Sequence, residues 1–238
     1  MKGGHAVPKQ NNMFYCPIHM ACDILQPRWT IHILTELGWG STRFNEIRRG
    51  IPGISPTLLA KRLKTLQAQG LVERVEDQAS GGIEYFRTDA AKELEPIITQ
   101  LGKWAYRNTS IQDHTCKTEP GPFVWNIRQN IDTAALPKRR LVMKLTFPEQ
   151  ESNEREFWIL CRPGFDTDVC FLDPGFEIDL YITAEFEAFA SVFYGYSKLS
   201  REIENDRINL IGQTALTNSM DRWLVLSSYA HSRHSGNA

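Results

Sequence analysis

Residues 43–74, RFNEIRRGIPGISPTLLAKRLKTLQAQGLVER, constrain the fold more than any other stretch. Two short helix patterns flank a turn that contains glycine and proline. The charge is lopsided: from Arg43 to Lys64 there are six basic side chains (Arg43, Arg48, Arg49, Lys61, Arg62, Lys64) and one acid, Glu46. A helix pair that reads DNA needs this combination, with an apolar side to hold the helices together and a basic side to meet phosphates. The second helix is legible residue by residue. Ser55 suits the N-cap and Pro56 the first helical position. Leu59, Leu63 and Leu66 recur at i, i+4, i+7 and form one buried stripe. Thr57, Lys61 and Lys64 share another face, and Gly70 stands where a C-cap glycine ends a helix. Thr57 and Leu58 lie in the first turn, where recognition helices touch base edges. Lys61 and Lys64 suit phosphates, with Arg62 beside them and Arg43 on the preceding helix. The plainer alternative is an amphipathic surface helix with solvated lysines.

The flanks extend the pattern. Upstream, Pro27–Leu37 reads as a helix with Trp29, Ile33 and Leu37 on one face. Gly38 and Gly40 end it, and Ser41 or Thr42 can cap the next helix. Downstream, Leu71–Glu76 and Ile83–Thr88 are strand candidates joined by a turn-rich connection at 77–82, which makes a wing. Thr88 or Asp89 opens a longer helix whose stripe is Leu94, Ile97, Ile98, Leu101, Trp104 and Ala105, with Pro96 expected to kink it.

From Cys16 to about Trp104 the chain resembles an HxlR-type regulator, a branch of the MarR-like winged-helix proteins. The stretches that carry the resemblance are CPIHMACDIL, RWTIHIL, residues 43–74 and IEYFRTDAAKEL. It implies a homodimeric DNA-binding domain with the recognition helix, residues 55–68, in the major groove. It also implies dimer contacts from the helices near Cys16–Leu25 and Ala90–Tyr106. The wing departs from a phosphate-binding one: it has no Lys or Arg between Asp77 and Glu84.

Length and charge set the frame. With 238 residues the chain suits two domains, and its net charge of −1 does not advertise nucleic-acid binding. The halves differ: through His114 there are 14 basic and 11 acidic residues, and beyond it 13 and 17. A near-neutral total hides a local basic patch. No apolar run approaches the ~20 residues of a membrane span, and the start has no apolar signal-peptide core. The five cysteines (Cys16, Cys22, Cys116, Cys161, Cys170) contain no C-x-x-C pair, so neither a metal site nor a disulfide framework is expected. A cytoplasmic protein without a cofactor fits. The expected domains are a winged helix at 13–107, a linker at 108–122 and a second domain at 123–231. Short mobile ends, 1–12 and 232–238, are expected to flank them.

In the second half, apolar residues alternate along 141–147 and 176–182, with further strand candidates at 157–162 and 169–172. Thr183 can cap a helix bearing Phe186, Phe189, Ala190 and Phe193. A last helix, about Thr214–Ser228, carries Leu216, Met220 and Trp223. This half resembles the sterol-carrier-protein type of domain, through LVMKLTF, REFWILC, VCFLDPGFEIDLYI and RINLIGQTALTNSMDRWL. That resemblance implies a pocket for an apolar small molecule lined by Phe147, Trp158, Phe171, Phe176, Phe186, Phe189, Phe193 and Trp223. The plainer reading makes these aromatics an ordinary core. The fold class is thus α+β: a winged helix-turn-helix, then a meandering antiparallel sheet covered by helices.

No catalytic constellation emerges: there is no Walker-type loop, no G-x-S-x-G and no H-E-x-x-H. Cys16 is the one side chain with a sharper alternative. It precedes Pro17 at a helix mouth, where the helix end stabilises thiolate, and some members of the resembled family sense oxidants or electrophiles through a cysteine in this neighbourhood. The expected function is a homodimeric regulator on a pseudo-palindromic double-stranded operator, modulated by an apolar effector. The rivals are a repressor that senses redox change through Cys16, and a lipid or acyl-chain binder with no operator.

Overall fold

The computed structural model describes residues 16–76, 81–109 and 119–230. The expected mobile ends, much of the linker and the wing tip lie outside these residues.

The N-terminal half is α1 (Pro17–Leu25), α2 (Thr30–Gly38), α3 (Phe44–Gly50), α4 (Pro56–Ala68), β1 (Val72–Glu76), β2 (Ile83–Arg87), α5 (Asp89–Lys92) and α6 (Glu95–Asn108). Strands β1 and β2 pair antiparallel, Val72 with Arg87 through Glu76 with Ile83. Its core joins Ile33 and Leu34 of α2, Ile47 of α3, and Leu59, Leu63 and Leu66 of α4, all essentially inaccessible to solvent. The leucine stripe of α4 is therefore what seats the helix, and fully burying each leucine contributes on the order of 2 kcal/mol.

Local chemistry sets the ends of α4. Ser55 Oγ accepts from the Leu58 amide at 3.2 Å. At the other end Gly70 takes φ +70°. Its amide bonds Gln67 O and the Leu71 amide bonds Leu66 O, a Schellman closure. Three expected boundaries shift. Helix α2 starts at Thr30, because Trp29 takes a left-handed conformation (φ 82°) that turns its ring into the core. Neither Ser41 nor Thr42 caps α3. Arg43 is its N-cap, and Glu46 accepts from the Thr42 and Arg43 amides at 3.0 Å each. Pro96 does not kink a long helix. It sits in the first turn of α6, while Thr88 caps a separate short α5.

The C-terminal half runs α7 (Pro120–Ile127), two 3-10 turns (Arg128–Asn130 and Thr133–Ala135), β3 (Leu141–Thr146), β4 (Glu156–Cys161), β5 (Asp168–Cys170), β6 (Leu180–Ala184), α8 (Phe186–Phe193), α9 (Leu199–Glu204), β7 (Ile208–Gly212), α10 (Thr214–Thr217) and α11 (Met220–Trp223). The sheet order is β5-β4-β3-β6-β7. It is not a purely antiparallel meander, since β3 and β6 are parallel. The strand expected from Phe176 begins only at Leu180. Before it, the Asp179 side chain accepts from the Val142 amide at 2.9 Å and from Arg139 at 2.7 Å, which ties the chain to the start of β3.

The helix after β6 is capped by Glu185, not Thr183, which stays in β6. The Phe186 amide donates to Glu149 Oε1 at 2.6 Å. The single last helix expected over 214–228 is instead the short α10 and α11. The Trp223 indole N–H donates to Leu216 O at 3.0 Å across the break. Helices α7 and α8 cover one sheet face, where Leu141, Met143, Leu145, Phe157 and Ile182 are buried. Val142, Trp158 and Leu160 form a smaller cluster on the other face.

Candidate nucleic-acid interface and the junction behind it

Helix α4 presents Ser55, Thr57, Lys61 and Lys64 to solvent on the side away from its leucine stripe. Neither lysine ammonium joins an ion pair among the described residues. The other sequence candidates are more engaged. Leu58 is half-buried against the core. Arg62 is half-buried, with its Nε enclosed and unbonded. Arg43 pairs with Glu84 of β2 at 3.5 Å while remaining about half exposed. That pair, the Thr42 Oγ1–Glu84 bond (3.1 Å) and the Tyr85 N–Thr42 O bond (2.8 Å) fasten the wing to the start of α3. Arg49 does not face the same way: its guanidinium lies 5.2 Å from the Trp125 ring and 5.7 Å from Phe171 in the other half. The exposed cationic face is thus narrower than the basic count, and it centres on Lys61 and Lys64. The wing is acidic by comparison, and Arg74 spends its charge on Glu76 at 3.0 Å.

Behind this face the halves meet through a buried polar network. Glu36 of α2 is only 2% exposed. Its Oε1 accepts from Ser41 Oγ at 2.6 Å and from Trp125 Nε1 of α7 at 3.1 Å. Ser41 Oγ accepts in turn from Arg128 Nη2 at 2.8 Å. Arg128 also donates to Trp125 O at 2.6 Å and stacks 3.7 Å from that indole. Burial pushes the Glu36 carboxyl up, and the hydrogen bond from Ser41 and the charge of Arg128 oppose it. Burial lowers Arg128, and Glu36 opposes that shift. The directions agree with two opposite charges that share one dry site. A second seam joins α6 to the segment after α8. Tyr106 Oη donates to Tyr194 O at 2.7 Å, and Gly102 leaves room for Tyr229. Between the seams lies a cleft of about 460 Å³, lined from both halves. The sequence reading missed this junction. The available signal was an acid, Glu36, spaced three residues from Ile33 on a core-facing helix.

Of the eight aromatics expected to line a ligand pocket, Phe147, Phe186, Phe189, Phe193 and Trp223 are buried in the main core. Phe147 packs edge-on against Phe157 and Phe186, with ring centroids 6.0 and 5.2 Å apart. Phe171 flanks this layer, 5.5 Å from Phe157. Trp158 lies across the sheet, over Lys144. Phe176 is 39% exposed under Arg140. The eight do not converge on one cavity, and only Phe193 reaches the junction cleft. Cys16 is a free, half-buried thiol at the N-cap of α1, and Cys22 is free and exposed. Among the described residues no cluster of three or more His, Cys, Asp or Glu is placed to hold a metal. No helix there is long and apolar enough to cross a membrane.

A capped second helix with an exposed cationic face, followed by a two-stranded hairpin, defines the winged helix-turn-helix class. A family model, the HxlR-like helix-turn-helix, matches residues 24–113. The uncharacterized HTH-type transcriptional regulator YvaP of Bacillus subtilis (strain 168) is 41% identical over 97 residues, which are 40% of this chain and 90% of that protein. An HTH-type regulator of Methanothermobacter thermautotrophicus is 30% identical over 108 residues, 45% of this chain and 82% of its own. The chain belongs to the HxlR-like helix-turn-helix family, and its N-terminal part is a transcription-regulator domain of that MarR-like type. Among solved structures, the redox regulator HypR in its reduced form is similar at 30% identity. The match covers 42% of this chain and 99% of that one, with a TM-score of 0.38.

Proposed function

We propose that the chain is a homodimeric DNA-binding regulator that places two copies of α4 in successive major grooves of a pseudo-palindromic operator, about one helical turn (~34 Å) apart. The observation that carries this reading is the exposed row Thr57, Lys61 and Lys64 on a helix whose opposite side is locked into the core. Thr57 is placed for base edges, the lysines and Arg43 for phosphates with Ser55 and Arg62 beside them, and Leu58 stands next to Thr57 in the first turn with its side chain leaning on the core. Two apolar faces support the homodimer. Ile18, Met20 and Ile24 of α1 are exposed, as are Ile97, Leu101 and Trp104 of α6. Such faces are costly on a monomer in water. The C-terminal half, with its aromatic layer between sheet and helices, supports a sterol-carrier-like module that receives an apolar effector. Binding changes operator affinity only if the effector favours one arrangement of the halves. No membrane is needed, and the cytoplasm is the natural compartment.

Selection of bound fragments from random DNA, followed by footprinting, tests the reading. The account expects an inverted repeat with two protected half-sites about one turn apart. Protection without sequence preference, or of a single half-site, contradicts it. A second reading makes Cys16 the sensor, supported by its partly accessible thiol at the mouth of α1. Operator release by peroxide or a quinone should then disappear in Cys16→Ser, and unchanged release rejects it.

A further inference from the structure

Of the cations assigned to phosphates, Arg43 differs from Lys61 and Lys64 in being held by a second element. Its Nε lies 3.5 Å from Glu84 Oε1 of β2. The arginine side chain is 55% exposed and the acid 25%. At this length the pair is looser than a hydrogen bond, and an exposed pair of this kind contributes little to stability. Its geometry matters more than its energy.

Glu84 is itself fixed. It lies in the wing ladder opposite Val75, and the same Oε1 accepts from Thr42 Oγ1 at 3.1 Å. The backbone that carries Arg43 is pinned from two sides. The Tyr85 amide donates to Thr42 O at 2.8 Å, and Glu46 Oε2 accepts from the Thr42 and Arg43 amides at 3.0 Å each. Arg43 therefore leaves a fixed backbone and meets a fixed carboxylate. The acid approaches through Nε, and Nη1 and Nη2 make no hydrogen bond to the protein among the described residues. The forked end of the guanidinium stays available for a phosphate, which arginine grips through two parallel N–H groups. A free arginine loses much rotamer freedom in that grip, and one already held loses less.

The acidic wing thereby acquires a role. An acid near DNA repels phosphates, so on charge alone Glu84 weakens binding. We propose that Glu84 is a positioning residue that holds the Arg43 guanidinium by its Nε edge in the pose that grips a phosphate. The wing then serves DNA binding through Arg43 rather than by a contact of its own. This inference rests on the regulator reading and deepens it.

The operator recovered by DNA selection is the probe for the full chain, its Arg43→Ala and Glu84→Gln variants, and the double variant. Glu84→Gln removes the charge and keeps a side-chain oxygen for Thr42. Thermal unfolding verifies that all four proteins fold. Arg43→Ala should weaken binding and make the log–log salt slope shallower by about 1.8 for the two arginines of a dimer. Glu84→Gln should weaken binding by the parent about threefold or more, and should not weaken it in the Arg43→Ala background. The proposal is overturned if Glu84→Gln tightens binding by the parent, as mere loss of repulsion predicts. It is also overturned if Glu84→Gln weakens both backgrounds equally, as a general loosening of the wing does, or if Arg43→Ala leaves the slope unchanged. In the free protein, nitrogen relaxation should show Arg43 Nε restricted and set loose by Glu84→Gln. Equal mobility in the two proteins rejects the clamp without any DNA. If the parent selects no operator, the regulator reading fails by itself, and the relaxation result still decides whether Glu84 holds Arg43.

Discussion

Glu36 joins two halves of the molecule through one carboxylate. Its Ser41 partner is local, but its Trp125 partner lies 89 positions away. A Cβ at Gly50 would run into this carboxylate. Gly50→Ala therefore overpacks the junction and should destabilise the fold by about 1–3 kcal/mol in urea unfolding. A neutral effect would mean that the Glu36 site is loose. The same carboxyl gives a pH signature. Its folded-state value is raised above the ordinary 4.5. Its contribution to stability is then complete below 4.5 and is lost as pH rises through the raised value. Glu36→Gln should flatten stability against pH from 4.5 upward relative to the parent, and parallel curves would show that Glu36 ionises as an exposed glutamate does. The sequence hid this site because nothing local to ILTELG indicates that an indole and a guanidinium from the other half will close over the acid. The α4 candidates were legible for the opposite reason: Ser55, the leucine spacing and Gly70 act within a single helix.

The elements of the N-terminal half form as their local signals direct, and the departures have physical causes. Pro96 lacks an amide hydrogen and so begins α6 instead of bending it. This break frees the α6 face. Ile98 turns inward, while Ile97, Leu101 and Trp104 remain exposed. Trp104→Glu should weaken self-association at least ~30-fold, equivalent to the ~2 kcal/mol of an interface hot spot. Sedimentation velocity would detect this, and an unchanged dimer would move the interface elsewhere. The C-terminal elements were less legible. Alternation marks strands but not their neighbours, so the parallel β3–β6 pairing and the β7 edge depend on contacts between distant segments. The aromatic spacing was equally silent on partners. It could not show that Phe147 and Phe186 would pack on each other while Trp158 crossed to the far face.

In the whole molecule α4, the polar junction and the cleft are arranged in series. Helix α4 packs on α2 and α3. Those two carry Glu36 and Gly50, and α7 closes over them from the other half. Under the proposed function, a change in how the halves meet would reach the scaffold under α4. The near-neutral net charge of the chain leaves phosphate attraction to the few cations that are not paired. The most direct measurement is the salt dependence of operator affinity for the parent and for Lys61→Ala/Lys64→Ala. Each lost phosphate contact should make the log–log slope shallower by about 0.9, or about 3.6 for the four lysines of a dimer, together with weaker binding at low salt. Unchanged affinity and an unchanged slope would contradict the assignment of α4 as the helix that meets DNA.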